Sequence, residues 1–114
     1  MQGIFITGTS TGVGKTHIGV LLAKALLEKN ILVVPRKPVE SGCDLIDDEL
    51  IPADAQALMS AAGYDGDLLE VCPYRFQPPV SPARAARLAN RTLTTAELVN
   101  ACRHGGNSGF TLVE

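Results

Sequence analysis

Short branched apolar runs alternate along the chain with stretches of helical period. Ile4-Phe5-Ile6-Thr7, bounded by Gly3 and Gly8, has the pattern of a strand buried on both faces. From Lys15 to Lys29 the polar His17, Lys24 and Glu28 share one stripe, while Ile18, Leu21, Leu22, Ala25 and Leu26 fill a broad opposite face. This predicts a helix that stops at Asn30. Ile31-Leu32-Val33-Val34 follows as a second buried strand, ended by Pro35 because proline cannot donate to a sheet ladder. Strand, helix, strand in this order predicts a parallel βαβ unit.

Between Arg36 and Pro52, Pro38, Gly42 and the acidic Asp44, Asp47, Asp48 and Glu49 show no sustained period, which predicts mostly loop. Ala53 to Ala62 reads as a helix with Asp54 in its first turn and Gly63 at its end. Val71 to Phe76 suggests a short extended segment weakened by Pro73. Ser81 and Pro82 suit an N-cap and first helical position leading into Ala83–Ala89. Thr94 with Glu97 forms a capping-box signature for a helix over Thr95–Arg103, with His104 near its negative end. Phe110 to Val113 is a last buried strand, closed by Glu114. A parallel strand needs both faces covered, so more chain is expected beyond it.

Composition narrows the class. A chain of 114 residues with 46% hydrophobic and 19% charged residues fits one small globular domain rather than two domains or a disordered tail. Its net charge of -2 gives no electrostatic footprint for nucleic acid or an anionic membrane. The apolar stretch Ile18–Leu27 is broken by Gly19 and Lys24 and falls short of the roughly 20 residues of a membrane span. Met1-Gln2-Gly3 lacks the basic start of a secretory signal, so a cytoplasmic location is expected. Cys43, Cys72 and Cys102 are odd in number and too widely spaced for a zinc site, which predicts reduced thiols.

The strongest chemical signal is Gly8-Thr9-Ser10-Thr11-Gly12-Val13-Gly14-Lys15-Thr16, set between the first strand and the first helix. Backbone N–H groups of such a loop converge on an anion, the helix dipole adds positive potential, Lys15 neutralises terminal phosphates, and the Thr16 hydroxyl can ligate magnesium. The alternative is a glycine-rich turn that only joins strand to helix. The loop is a variant, because the strict phosphate-loop pattern has glycine where this chain has Thr9.

Gly-Thr-x-Thr-x-Val-Gly-Lys-Thr resembles the phosphate loop of the dethiobiotin synthetase family. Four further segments are similar to that family in the same order: Lys37-Pro38-Val39-Glu40-Ser41-Gly42, Asp54-Ala55-Gln56-Ala57-Leu58, Pro73-Tyr74-Arg75-Phe76 with Pro79-Val80-Ser81-Pro82, and Leu112-Val113-Glu114. The resemblance implies an α/β fold of the P-loop NTPase type, three-layered αβα with a mostly parallel sheet, of which residues 1–114 form the N-terminal part of a single domain. It also implies an ATP- and magnesium-dependent ligase of biotin synthesis that carboxylates 7,8-diaminononanoate with carbon dioxide and closes a cyclic urea.

By the same resemblance, Thr11, Gly12, Val13, Gly14, Lys15 and Thr16 bind nucleotide, and Lys37 and Lys15 are catalytic. Ser41 and Lys37 meet substrate, and Thr16, Asp54 and Glu114 hold magnesium. Outside the resemblance, Lys37 reads as a solvated loop lysine, Ser41 as a turn serine and Asp54 as a helix-start acid. Some family members carry an acidic residue where this chain has Gly12, which leaves nucleotide selectivity at that point open. Cys43 could line the pocket or be a structural thiol. A homodimer is expected for the complete enzyme, with a small-molecule diamine as partner and neither nucleic acid nor membrane. Two other readings are a ParA- or MinD-like ATPase switch and a fragment that binds nucleotide without turnover. Against the switch, its lysine near the loop start is replaced here by Thr9 and Ser10, and no appended basic or amphipathic element is seen.

Overall fold

The computed structural model describes residues 2–8 and 14–114. Three strands form a parallel sheet in the order β1 (Gln2–Phe5), β7 (Phe110–Val113), β2 (Val33–Arg36). The remaining strands β3 (Val39–Glu40), β4 (Asp44–Ile46), β5 (Glu49–Ile51) and β6 (Tyr74–Arg75) make two small ladders. Helices α1 (Lys15–Glu28), α2 (Ala53–Ala62), α3 (Leu68–Val71), α4 (Pro82–Leu88) and α5 (Thr95–Arg103) complete the chain. The α/β class and the parallel β1–α1–β2 unit are as expected, with β7 inserted between the two strands.

That insertion corrects the expectation for the first strand. The central position belongs to β7, where Thr111, Leu112 and Val113 are buried. Among the described residues β1 lies at the edge of the sheet, exposed at all four residues, with Phe5 65% exposed. It also starts and ends two residues earlier than the apolar run predicts, although Ile6 N–H still donates to the Val113 carbonyl at 2.8 Å.

The second strand is corrected as well: it does not stop at Pro35 but contains it. Leu32 and Arg36 carbonyls accept from Phe110 and Glu114 N–H groups at 2.8 and 2.9 Å, so these even-numbered residues face β7. Pro35 faces the outer edge, where the ladder requires no N–H.

Helix α1 starts where predicted and ends one residue early, at Glu28, before Asn30, which is left-handed at φ 59°. Its packed face differs from the predicted one. Gly19 and Ala23 are buried, whereas Ile18 and Leu21 are more than half exposed and Ala25 is exposed. The contact with α2 selects small residues: a Cβ on Gly19 would lie 3.0 Å from Leu58 Cδ2. The core beneath the two helices joins Ala23, Val33, Leu58, Ala61, Ala62 and Leu112, with Leu22 and Leu26 packed against it as expected.

The predicted loop over 36–52 is largely structured. Asp44–Ile46 and Glu49–Ile51 pair antiparallel through a two-residue turn at Asp47 and Asp48, both with positive φ (51° and 62°). Such hairpin turns favour asparagine or glycine, and the paired aspartates hide the signal in an acidic tract. Arg75 pins the hairpin by donating to the Leu50 carbonyl at 3.3 Å, with Glu49 at 3.8 Å. Val71 closes α3 rather than opening an extended segment, and only Tyr74 and Arg75 pair, in parallel with β3.

The predicted caps are present. Gly63 ends α2 at φ 60°, the Ser81 hydroxyl accepts from Arg84 N–H ahead of Pro82, and Thr94 and Glu97 form the reciprocal box of α5. Among the described residues no helix is long and apolar enough to cross a membrane. Replacing Leu112, fully buried in the central strand, by alanine is expected to cost about 3 kcal/mol in urea unfolding, through lost transfer energy plus a residual cavity.

Candidate functional site

The register of the sheet builds the site. Val33 pairs with Phe110 and so on to Arg36 with Val113, so the next residues, Lys37 and Glu114, leave the ladder side by side. The Lys37 ammonium lies 3.2 Å from Glu114 Oε1. Thr16, in the first turn of α1, donates its hydroxyl to the same oxygen at 2.5 Å. Glu114 is 2% exposed at its side chain and Lys37 13%, so the pair is largely out of water. The second oxygen, Glu114 Oε2, is buried and has no hydrogen-bond partner among the described residues. Asp54, in the first turn of α2, brings Oδ2 to 4.0 Å from Lys37 Nζ and is half exposed.

Thus Thr16, Lys37, Asp54 and Glu114 come together from four segments distant in sequence. Gly14 precedes α1 in a left-handed conformation at φ 87°, which glycine adopts without a Cβ penalty. Lys15 opens the helix and is half-buried. Thr11, Gly12 and Val13 lie outside the described residues. Ser41 follows β3 and is half-buried, and no hydrogen bond ties it to the cluster among the described residues.

Sequence reasoning assigned no role to Glu40. Its carboxylate is buried at 6% exposure and accepts from Asp54 N–H at 3.1 Å and Ala55 N–H at 3.0 Å. Burial pushes its carboxyl above the ordinary value, opposed by these two donors. The available signal was Pro52, a residue unable to cap the helix that follows it.

No group of three or more His, Cys, Asp or Glu side chains gathers among the described residues. A magnesium ion does not require one, since it takes one or two carboxylates and fills its other positions with water and phosphate. The Thr16 hydroxyl and the Asp54 and Glu114 carboxylates are hard oxygen donors of that kind, and Glu114 Oε2 has no hydrogen-bond partner among the described residues. The donor set fits magnesium.

The sequence from residue 2 to 114 matches the AAA domain family model. The chain belongs to the AAA domain family. With that membership and the parallel sheet, the three-layer P-loop class implied by the sequence holds. Within the AAA domain family it is similar to the ATP-dependent dethiobiotin synthetase BioD of Anaeromyxobacter dehalogenans (strain 2CP-C), 41% identical over 103 residues, which are 90% of this chain and 44% of that protein. The proteins of the same name from Pseudoalteromonas translucida (strain TAC 125) and Ruthia magnifica subsp. Calyptogena magnifica are each 37% identical. They cover 96% and 100% of this chain, and 48% and 52% of their own length. The resemblance to dethiobiotin synthetases therefore extends across the whole chain. The chain spans about half the length of the curated relatives it matches.

All three cysteines are free, as expected from their spacing. Cys43 lines an open groove of about 720 Å³ with Gly42, Asp44, Leu45, Ile46, Gln77 and Pro79, but its side chain is buried. Burial, and next to it the Glu40 carboxylate, push the Cys72 thiol up to about 12. The unfolded chain gives up that proton near pH 9.0 while the fold retains it. The stability tied to Cys72 is therefore full below pH 9 and is lost as pH rises towards about 12. Urea midpoints measured across this range are expected to fall less steeply in Cys72→Ala than in the wild type.

Proposed function

We propose that the protein acts as an ATP- and magnesium-dependent dethiobiotin synthetase, assembled as a homodimer in the cytoplasm. The observation that carries this reading is the convergence of Lys37, Glu114 and Thr16 at the carboxyl ends of adjacent parallel strands, where open α/β sheets bind ligands. The similarity to dethiobiotin synthetases supports the substrate choice: 7,8-diaminononanoate, carbon dioxide and ATP.

In the proposed reaction one amine attacks carbon dioxide and loses a proton to give a carbamate. A carbamate oxygen attacks the γ-phosphate and releases ADP. The second amine then attacks the carbamyl carbon and loses a proton, expelling phosphate and closing the cyclic urea. Two anions must approach in line, so positioning and charge compensation dominate over covalent help from the protein.

Lys37 is the cation that holds the carbamate and the mixed anhydride formed from it. Lys15, with the loop amides of residues 11–14, binds the terminal phosphates, and Ser41 hydrogen-bonds the substrate. Thr16, Asp54 and Glu114 would hold magnesium, which when bound supplies positive charge to the phosphate oxygens. In the structure as described Lys37 leans on Glu114.

Magnesium-dependent binding of a nonhydrolysable ATP analogue tests the nucleotide site, and mass detection of the cyclic urea from diamine, bicarbonate, magnesium and ATP tests the reaction. Lys37→Ala is expected to lower product formation at least about 100-fold, as for loss of one electrostatic donor, while analogue binding stays close to wild type. Undiminished product in Lys37→Ala would remove the carbamate assignment. Analogue binding with no product from the wild type would leave a nucleotide-binding protein without this activity.

A further inference from the structure

Helix α2 presents Asp54 but cannot cap itself, because Pro52 at its N-cap makes no side-chain hydrogen bond to the first turn. The N–H groups an N-cap side chain would serve belong to the second and third helical residues, here Asp54 and Ala55. Both are taken by a side chain from another element. Glu40, on β3, accepts from Asp54 N–H through Oε2 at 3.1 Å and from Ala55 N–H through Oε1 at 3.0 Å. A serine or threonine could serve such amides without charge. A buried carboxylate is the more costly solution, since desolvation opposes it and the Asp54 carboxylate repels it.

Glu40 holds the Asp54 backbone through these bonds, and the Asp54 side chain lies with Oδ2 4.0 Å from Lys37 Nζ. Lys37 itself stands three residues before Glu40 on the segment joining β2 to β3. One short stretch therefore carries both the lysine and the clamp that fixes the aspartate facing it.

We infer that Glu40 is a positioning residue, whose two-pronged hold on the first turn of α2 sets the Asp54 carboxylate in place beside Lys37 and Thr16 for the metal–nucleotide complex. This rests on the reading of Asp54 as a magnesium ligand in the proposed function. Glu40 makes no contact with substrate or metal in this role. It acts through the backbone of Asp54, as partners of metal ligands commonly do.

The test is a calorimetric titration of magnesium into the protein with a nonhydrolysable ATP analogue, comparing wild type, Asp54→Asn, Glu40→Gln and the double variant. Glu40→Gln keeps the volume but turns an amide NH2 towards one of the two N–H donors, so one bond is lost and the charge is gone. Thr94→Ala, which breaks the cap of α5 across the sheet, is the control for a purely structural loss and is expected to lower the melting temperature without moving magnesium affinity.

The expected result is magnesium binding weakened about tenfold by either Asp54→Asn or Glu40→Gln, with the double variant no weaker than Asp54→Asn alone. If Asp54→Asn weakens binding while Glu40→Gln does not, or if the two effects multiply, the positioning role is overturned and the metal reading stands. If Asp54→Asn itself has no effect, the metal reading of Asp54 falls and the inference falls with it. Should Glu40→Gln fail to fold by circular dichroism, Glu40→Asp takes its place. That variant keeps the charge but shortens the reach, and the same weakening is expected.

Discussion

A carboxylate removed from water must be met by donors or cations, and the Glu114 side chain meets this demand with groups from two other elements. Lys37 arrives from the end of β2 and Thr16 from the start of α1, both on one oxygen. The phosphate-loop helix, β2 and the central strand are therefore locked at one end of the sheet by a single buried acid. The pairing is possible only because the parallel register carries Lys37 and Glu114 out of the ladder at the same level. A slip of one residue would send one of them to the opposite face.

The segment that leads into the central strand is held by a different charge. Arg36 is fully buried, and its guanidinium donates twice to the His104 carbonyl, at 3.1 and 2.7 Å, and once to the Pro35 carbonyl at 2.8 Å. Its contact with Glu70 is longer, at 4.0 Å. The guanidinium thus satisfies backbone oxygens at the end of α5 and holds the segment that leads into β7. Arg36, the last residue of β2, and Lys37, just past it, thus divide the work: one holds the segment that leads into β7, and the other meets Glu114 where β7 ends.

Elements governed by local chemistry were legible in the sequence. Ser81-Pro82, the Thr94–Glu97 box, the Gly63 stop and the Asn30 stop each have a cause within a few residues, and each recurs in the structure. What tertiary neighbours decide was not legible. Which strand becomes central depends on Phe110–Val113, over 100 residues from β1, so the exposure of Phe5 has no local signature. The buried face of α1 follows Gly19 and Ala23 because another helix lies there, and hydrophobicity alone favoured Ile18 and Leu21. At the site, motif resemblance named Thr16, Lys37, Asp54 and Glu114, and the register explains why they meet. Glu40 carries no motif signal of its own, since its partners are backbone N–H groups that any sequence would supply.

The proline inside β2 shapes how this molecule meets others. Sheet edges invite chains to add on, because they offer a row of unused donors and acceptors. On the outer side of β2 that row is broken at Pro35, and the next N–H, from Lys37, is already engaged by the Val71 carbonyl at 2.9 Å. The flank that holds the lysine of the site is thereby closed to strand exchange.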